Sequence, residues 1–231
     1  MNIPVIAIDG PSGSGKGAIT HRLANYLGFH ILDSGAFYRL IGLGARSQSI
    51  PFSAEPQLAA LAANLDVEFR STDDSEEPIR IYLDGADVTF DLRTDQAGSD
   101  ASKVAPLSSV RDAIKARQQD FRRAPGLIAD GRDMGTIVFP TADLKIYLTA
   151  TAEARAERRY KQLIDKGINV SLHDLFLSIQ ERDERDMNRK VAPLVPAQDA
   201  HVIDSTDLGI EAVFAEVLAL SQVALQKDVK D

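Results

Sequence analysis

The chain contains no cysteine in 231 residues, which excludes disulfides and thiolate metal sites and fits a cytoplasmic protein. No apolar run approaches the ~18 residues of a membrane span, so no membrane insertion is expected. The first residues, MNIPVIAID, lack a basic n-region and reach an aspartate within the first predicted strand, so they do not read as a signal peptide. An excess of positive charge is missing too. With 34 acidic and 26 basic residues the net charge is −8, which argues against nucleic-acid binding through bulk electrostatics. Any anion site must therefore come from local clusters of Arg and Lys. The four histidines show no metal-ligand spacing and no protein-bound metal is expected from them. Repeats, low-complexity tracts and long linkers are also absent.

What is present is ordinary for a globular chain: 44% hydrophobic and 26% charged residues, long enough for one substantial domain or a core with a smaller insert. Short apolar runs alternate with helical patterns. Val5–Asp9, Leu127–Asp130, Leu144–Leu148 and Val202–Asp204 read as buried parallel strands, with a short fifth candidate at His30–Asp33. Helical patterns follow at Lys16–Leu27, Ala36–Arg46, Ala152–Lys166, Leu172–Arg189 and Ile210–Gln226. The expected fold class is α/β, a parallel sheet with helices on both faces and a ligand crevice at the carboxyl ends of the strands. Asp9, Asp33, Asp130 and Asp204 all stand at those ends.

The middle breaks the rhythm. DVEFR, the acidic turn STDDSEEP and IRIYLDGADVT alternate with period two and read as antiparallel strands, followed by helical stretches at Thr94–Val104 and Leu107–Arg122. The expected organisation is a core of residues 1–52 and 124–231, with residues 53–123 as an insert.

Within the first strand–loop–helix, IAIDGPSGSGKGA carries a Gly-x4-Gly-Lys pattern from Gly10 to Lys16. Such a pattern alone arises by chance in roughly one protein of this length in fifteen. Its setting makes it informative, because only a loop between a strand and a helix N-terminus points successive backbone N–H groups at one anion. Gly13, Gly15 and Gly17 permit close approach of a phosphate, and Lys16 supplies a point charge to β- and γ-phosphates. The usual pattern ends in Ser or Thr. Here Gly17 and Ala18 follow the lysine.

Elsewhere, DSGAFYR suggests a helix N-capped by Ser34 that carries Arg39, and LIADGRDMG places Arg132 and Asp133 just past a strand end, to read a ligand or to close a turn. In ERDERDMNR, Arg182, Asp186 and Arg189 fall at i, i+4 and i+7 with Arg185 adjacent, either as solvated salt pairs or as an anion clamp. Arg155, Arg158 and Arg159 form a second cationic segment. Clusters of guanidinium groups beside a phosphate loop suit phosphoryl transfer, whose transition state spreads negative charge over the equatorial oxygens.

The motifs IDGPSGSGKG, ILDSGAFYR, PGLIADGRDMGTIVFP and ERDERDMNRKVAPLVPAQDA, in this order and spacing, resemble those of the bacterial cytidylate kinases, a family of nucleoside monophosphate kinases, over nearly the whole chain. The resemblance implies a P-loop kinase core, a mobile arginine-bearing lid over about residues 155–167 and an enlarged monophosphate-binding insert. It also implies transfer of the γ-phosphoryl of ATP to CMP or dCMP, with Mg²⁺ bound mainly through the ATP phosphates and water. By motif, Gly10, Pro11, Ser12, Gly13, Ser14, Gly15, Lys16, Gly17 and Ala18 hold ATP. Ser34 and Arg39 resemble acceptor ligands. Ser102, Arg111 and Asp133 match positions that read the cytosine edge, and Arg132 and Arg182 match phosphate-binding positions. Asp186 matches the residue that engages the sugar hydroxyls, with Arg189 beside it on the phosphate, while Arg158 and Arg159 are the expected closing groups of the lid. The implied partners are the nucleotides ATP and CMP or dCMP, with no nucleic acid and no membrane, and the chain is expected to be a monomer.

The same resemblance recasts the missing hydroxyl. This family commonly has Gly after the lysine and the hydroxyl one residue later, so Gly17 is expected and Ala18 is the departure. Thr20 does not substitute, since two helical residues rotate the side chain by about 200°. Two alternatives stay open on the residues alone: another small-molecule kinase built on the same core, or a nucleotide-binding regulator that transfers nothing.

Overall fold

A computed structural model of the chain describes residues 3–72 and 79–227. Its centre is strand β1 (Val5–Asp9), buried along its whole length. Alternate side chains feed two apolar layers. Val5 and Ala7 face one, built on helix α2 (Ser34–Ser47), while Ile6 and Ile8 face the other, built on helices α1 (Lys16–Leu27) and α9 (Ile210–Lys227). A strand buried on both sides is the reason the sequence reads as a continuous apolar run.

With β2 (His30–Asp33), β6 (Leu127–Gly131), β7 (Leu144–Thr149) and β8 (His201–Asp204), β1 forms a five-stranded parallel sheet in the order β2-β6-β1-β7-β8. The chain leaves β1 toward β2 and returns to β6, so the order reverses beside β1. That is where an open α/β sheet forms its crevice. In-register pairing puts Asp33 beside Asp130 and Thr149 beside Asp204 at the carboxyl ends.

The period-two segment is a three-stranded antiparallel sheet: β3 (Val67–Ser71), β4 (Ile79–Leu83) and β5 (Ala86–Asp87). Most of the acidic turn between β3 and β4, residues 73–78, lies outside the described residues. Helices α3 (Glu55–Ala63), α4 (Thr89–Leu92), α5 (Asp95–Val104) and α6 (Ser108–Gln119) complete this part. Phe37 of α2, Phe69 of β3 and Phe121 pack as a trio with ring centroids 5.4–6.1 Å apart, joining the small sheet to the large one in one core. Aromatic pairs at this spacing contribute ~0.5–1.5 kcal/mol each beyond area burial.

Helix α2 crosses α5 closely because Gly42 has no side chain there: a Cβ would lie 2.7 Å from the Cβ of Asp100. Buried Asp100 is itself paired with Arg46 of α2 and Lys103, which fixes the crossing that presents Ser102.

Several elements differ from expectation. Helix α3 has no counterpart among the expected elements, although Leu58, Leu61 and Ala62, with Leu65 just past its end, recur at helical spacing behind Pro56 in the first turn. The cap of α2 is Asp33, whose carboxylate accepts from the Ala36 N–H at 3.1 Å. Ser34 is the first helical residue. Asp133 is followed by a π-helical turn, Met134–Val138, that no periodicity foretold. Among the described residues no helix is long and apolar enough to cross a membrane. Helices α7 (Ala152–Asp165) and α8 (Leu172–Met187) pack together as a hairpin.

Candidate active site

The phosphate loop wraps the end of β1 because glycine allows it. Gly13 and Gly15 have positive φ, and a Cβ on Gly10 would fall 2.0 Å from the Leu148 carbonyl oxygen on β7. Lys16 is folded back under the loop, its Nζ donating to the Pro11 carbonyl at 2.8 Å and lying 4.0 Å from Asp130 Oδ1. Burial, aided by the Arg132 charge, pushes the ammonium down to about 8, against Asp130 and Asp9. Burial also pushes Asp130 up to about 6 against the pull of Lys16.

Asp9, unassigned from sequence beyond its place at a strand end, closes the other side. Its two carboxylate oxygens accept from the N–H groups of Met134 and Gly135 at 2.8 and 2.7 Å. Burial pushes this carboxyl up to about 7, opposed by those two hydrogen bonds. One buried side chain at the end of β1 thus fixes the π-helical turn that follows Arg132 and Asp133. The acceptor-side dipeptide is set by the same strand that starts the phosphate loop.

A cleft of about 1080 Å³ runs between the loop, α2, α5 and the α7–α8 hairpin. Along its wall the structure brings together Ser12 to Ala18, Ser34, Arg39, Ser102, Arg132, Asp133, Arg158, Arg159, Arg182, Asp186 and Arg189. Gly10, Pro11 and Arg111 are buried and do not line it. Arg111 is buried, donating to the Tyr38 hydroxyl at 2.9 Å and the Ala105 carbonyl at 3.2 Å and pairing with Asp133. Ser34 accepts a hydrogen bond from Gln118 Nε2 at 2.9 Å, which leaves its own O–H to donate elsewhere. Ser102 donates to the Gly98 carbonyl of its own helix at 3.1 Å, and Arg39 to that of Leu92.

Asp186 accepts from Arg132 Nε at 2.9 Å and from Arg189, so both carboxylate oxygens are engaged by guanidinium groups. Arg182 donates from Nη1 to the Ser12 hydroxyl at 3.1 Å, while its buried Nε has no partner among the described residues. Burial and the neighbouring Arg132 and Arg39 push Arg182 down to about 9. A low-dielectric pocket holding three repelling cations is built for an anion.

Arg158 donates to the Ser205 hydroxyl at 3.1 Å and to carbonyls of Ser205 and Thr206, which ties α7 to the loop after β8. Ser14 Oγ in the phosphate loop is buried with no partner among the described residues, Ala18 in the first turn of α1 is exposed on the cleft, and Thr20 is turned into the core, its hydroxyl likewise unpartnered among the described residues.

The cytidylate kinase family profile matches residues 6–223. The chain is 55% identical over 216 residues to the cytidylate kinase of Shewanella amazonensis, covering 94% of this chain and 93% of that one. The chain belongs to the cytidylate kinase family. The Aeromonas hydrophila cytidylate kinase is 53% identical over 222 residues, covering 96% and 95%. As a cytidylate kinase family member the chain is an ATP-dependent phosphotransferase, and the phosphate loop and arginine-lined cleft are the equipment such an enzyme requires.

Proposed function

We propose that the chain transfers the γ-phosphoryl of ATP to CMP or dCMP, giving CDP or dCDP and ADP in pyrimidine nucleotide metabolism, as a cytoplasmic monomer. The observation that carries the reading is the convergence in one cleft of the Lys16 phosphate loop with Arg132, Arg182 and Asp133 on the facing wall. Residues 1–52 and 124–231 act as the kinase core, 53–123 as the acceptor-binding insert and about 155–167 as the lid.

Gly10 to Ala18 hold the donor phosphates, with Lys16 on the β- and γ-phosphates. Arg132 and Arg182 stabilise the transferring group, and the two cannot disperse because Asp186 and Ser12 hold them. Ser34, Arg39 and Arg189 orient the acceptor phosphate side, Asp186 the sugar. Asp133, backed by Arg111 and joined by Ser102, reads the base: its carboxylate accepts from the exocyclic N4 amine of cytosine. Uracil carries a carbonyl at that position. An acceptor facing an acceptor costs ~1–3 kcal/mol.

Mg²⁺ held mainly through the ATP phosphates and water would neutralise charge on the phosphate oxygens. No group of three or more ligating side chains gathers among the described residues. The register-paired carboxylates of Asp33 and Asp130 beside the loop fit an ion held mainly by phosphate and water. Catalysis is positioning and charge stabilisation without a covalent intermediate. Closure of the lid over about residues 155–167, with Arg158 and Arg159, excludes water that would otherwise hydrolyse ATP.

Incubation with γ-labelled ATP and CMP tests the reading. Label should move to CDP. Label released only as inorganic phosphate, or retained on ATP, contradicts it.

A further inference from the structure

We propose that Arg155 is a positioning residue for phosphoryl transfer: with Asp183 it forms a latch that keys helix α8 to the phosphate loop at Ser12 and thereby aims Arg182. The proposal rests on the reading that Arg182 meets the transferring phosphoryl group.

Arg155 is 3% exposed, and its guanidinium is occupied by protein acceptors. Nε donates to the Ala150 carbonyl at 2.9 Å, Nη1 to the Ser12 carbonyl at 3.0 Å and to Asp183 Oδ1 at 3.1 Å, and Nη2 to Asp183 Oδ2. One side chain therefore joins the end of β7, the phosphate loop and α8. Gly13 folds flat against its stem: a Cβ there would sit 3.4 Å from the Arg155 Cβ.

Arg182 contrasts with it. Its Nη1 reaches the Ser12 hydroxyl at 3.1 Å, but its buried Nε has no partner among the described residues, so this guanidinium, unlike that of Arg155, keeps an unmet donor. Ser12 is thus held on its carbonyl by Arg155 and on its hydroxyl by Arg182. The residue that grips Arg155 directly follows Arg182 in the chain. Successive helical residues point about 100° apart, so clamping Asp183 fixes the rotation of α8 about its axis and with it the direction of Arg182. A guanidinium fork does this where a lysine ammonium does not, because the fork grips both carboxylate oxygens and still reaches a carbonyl.

The test compares Arg155→Lys, Asp183→Asn, Arg182→Lys and the Arg155→Lys/Arg182→Lys double variant, measuring kcat, KM for both nucleotides and Tm. Residues acting as one unit are non-additive, so Arg155→Lys and Asp183→Asn should each lower kcat by ~tenfold or more with the same KM-against-kcat split as Arg182→Lys, and the double should be within ~threefold of Arg182→Lys. Multiplying effects, an unchanged kcat, or variants that differ only by a lowered Tm or fail to fold make the pair a structural strut and overturn the proposal. A slow Arg182→Lys beside a normal Arg155→Lys removes this proposal alone. An Arg182→Lys with unaltered kcat removes the reading beneath it.

Discussion

The Lys16 ammonium lies 2.8 Å from the Pro11 carbonyl oxygen and 4.0 Å from an Asp130 carboxylate oxygen, buried beneath the loop it belongs to. The loop's only lysine is thereby placed before any phosphate arrives, so little reorganisation is needed on binding. Lys16→Ala should lower the transfer rate at least ~tenfold while leaving far-UV circular dichroism and Tm close to wild type. Wild-type turnover in a coupled ADP-release assay sinks this role.

The position of Lys16 also sets a pH dependence. Its ammonium, pushed down to about 8 by burial, is charged below that value and neutral above it. ATP capture should therefore be complete on the acid side and fall as pH rises through about 8, seen as a decline in kcat/KM for ATP. A profile flat across that interval means that the charge is not what captures ATP.

Asp133 is buried against Arg111 on the acceptor side of the cleft. Asp133→Ala should erode the preference for CMP over UMP by ~10-fold or more, in line with one unpaired buried polar group. The readout is the ratio of kcat/KM for the two acceptors, and a ratio unchanged from wild type assigns discrimination elsewhere.

Ala18 faces the cleft where the family resemblance leads one to expect a hydroxyl. Ala18→Thr should lower KM for ATP by a few-fold, below the ~1.5–3 kcal/mol of a full hydrogen bond to a charged group, because the Ser14 hydroxyl, which has no partner among the described residues, lies in the same loop. If KM for ATP stays put in Ala18→Thr but rises in Ser14→Ala, Ser14 already supplies the bond.

Asp9→Asn keeps one acceptor for the Met134 and Gly135 N–H groups and opposes an N–H₂ to the other. A loss of ~1–3 kcal/mol follows, or a Tm lowered by several degrees. Calorimetry checks it, and an unshifted Tm shows that the two hydrogen bonds are dispensable.

The parallel core was legible because buried strands and amphipathic helices carry different periods, and β1 betrays itself by being apolar on both faces. Helix α3 carries the same kind of signal in Leu58, Leu61, Ala62 and Leu65, but it is only nine residues long and runs into the acidic period-two segment, which masks it. The π-helical turn after Asp133 carries no periodic signal, since it depends on Asp9, more than a hundred residues earlier in the chain. The cleft residues were found by motif rather than by pattern. What sequence could not supply was which arginines the protein itself saturates: Arg155 and Arg182 look alike in the chain, yet one is held by Asp183 and Ser12 and the other keeps an Nε with no partner among the described residues.

The central claim is that one cleft joins an ATP loop to a cytosine reader. Its most direct test is kcat/KM for ATP-dependent phosphorylation of CMP, dCMP, UMP and AMP by the wild-type chain. CMP and dCMP should exceed UMP by ~10-fold or more, with AMP poorest. Equal use of all four, or a preference for AMP or UMP, contradicts the account.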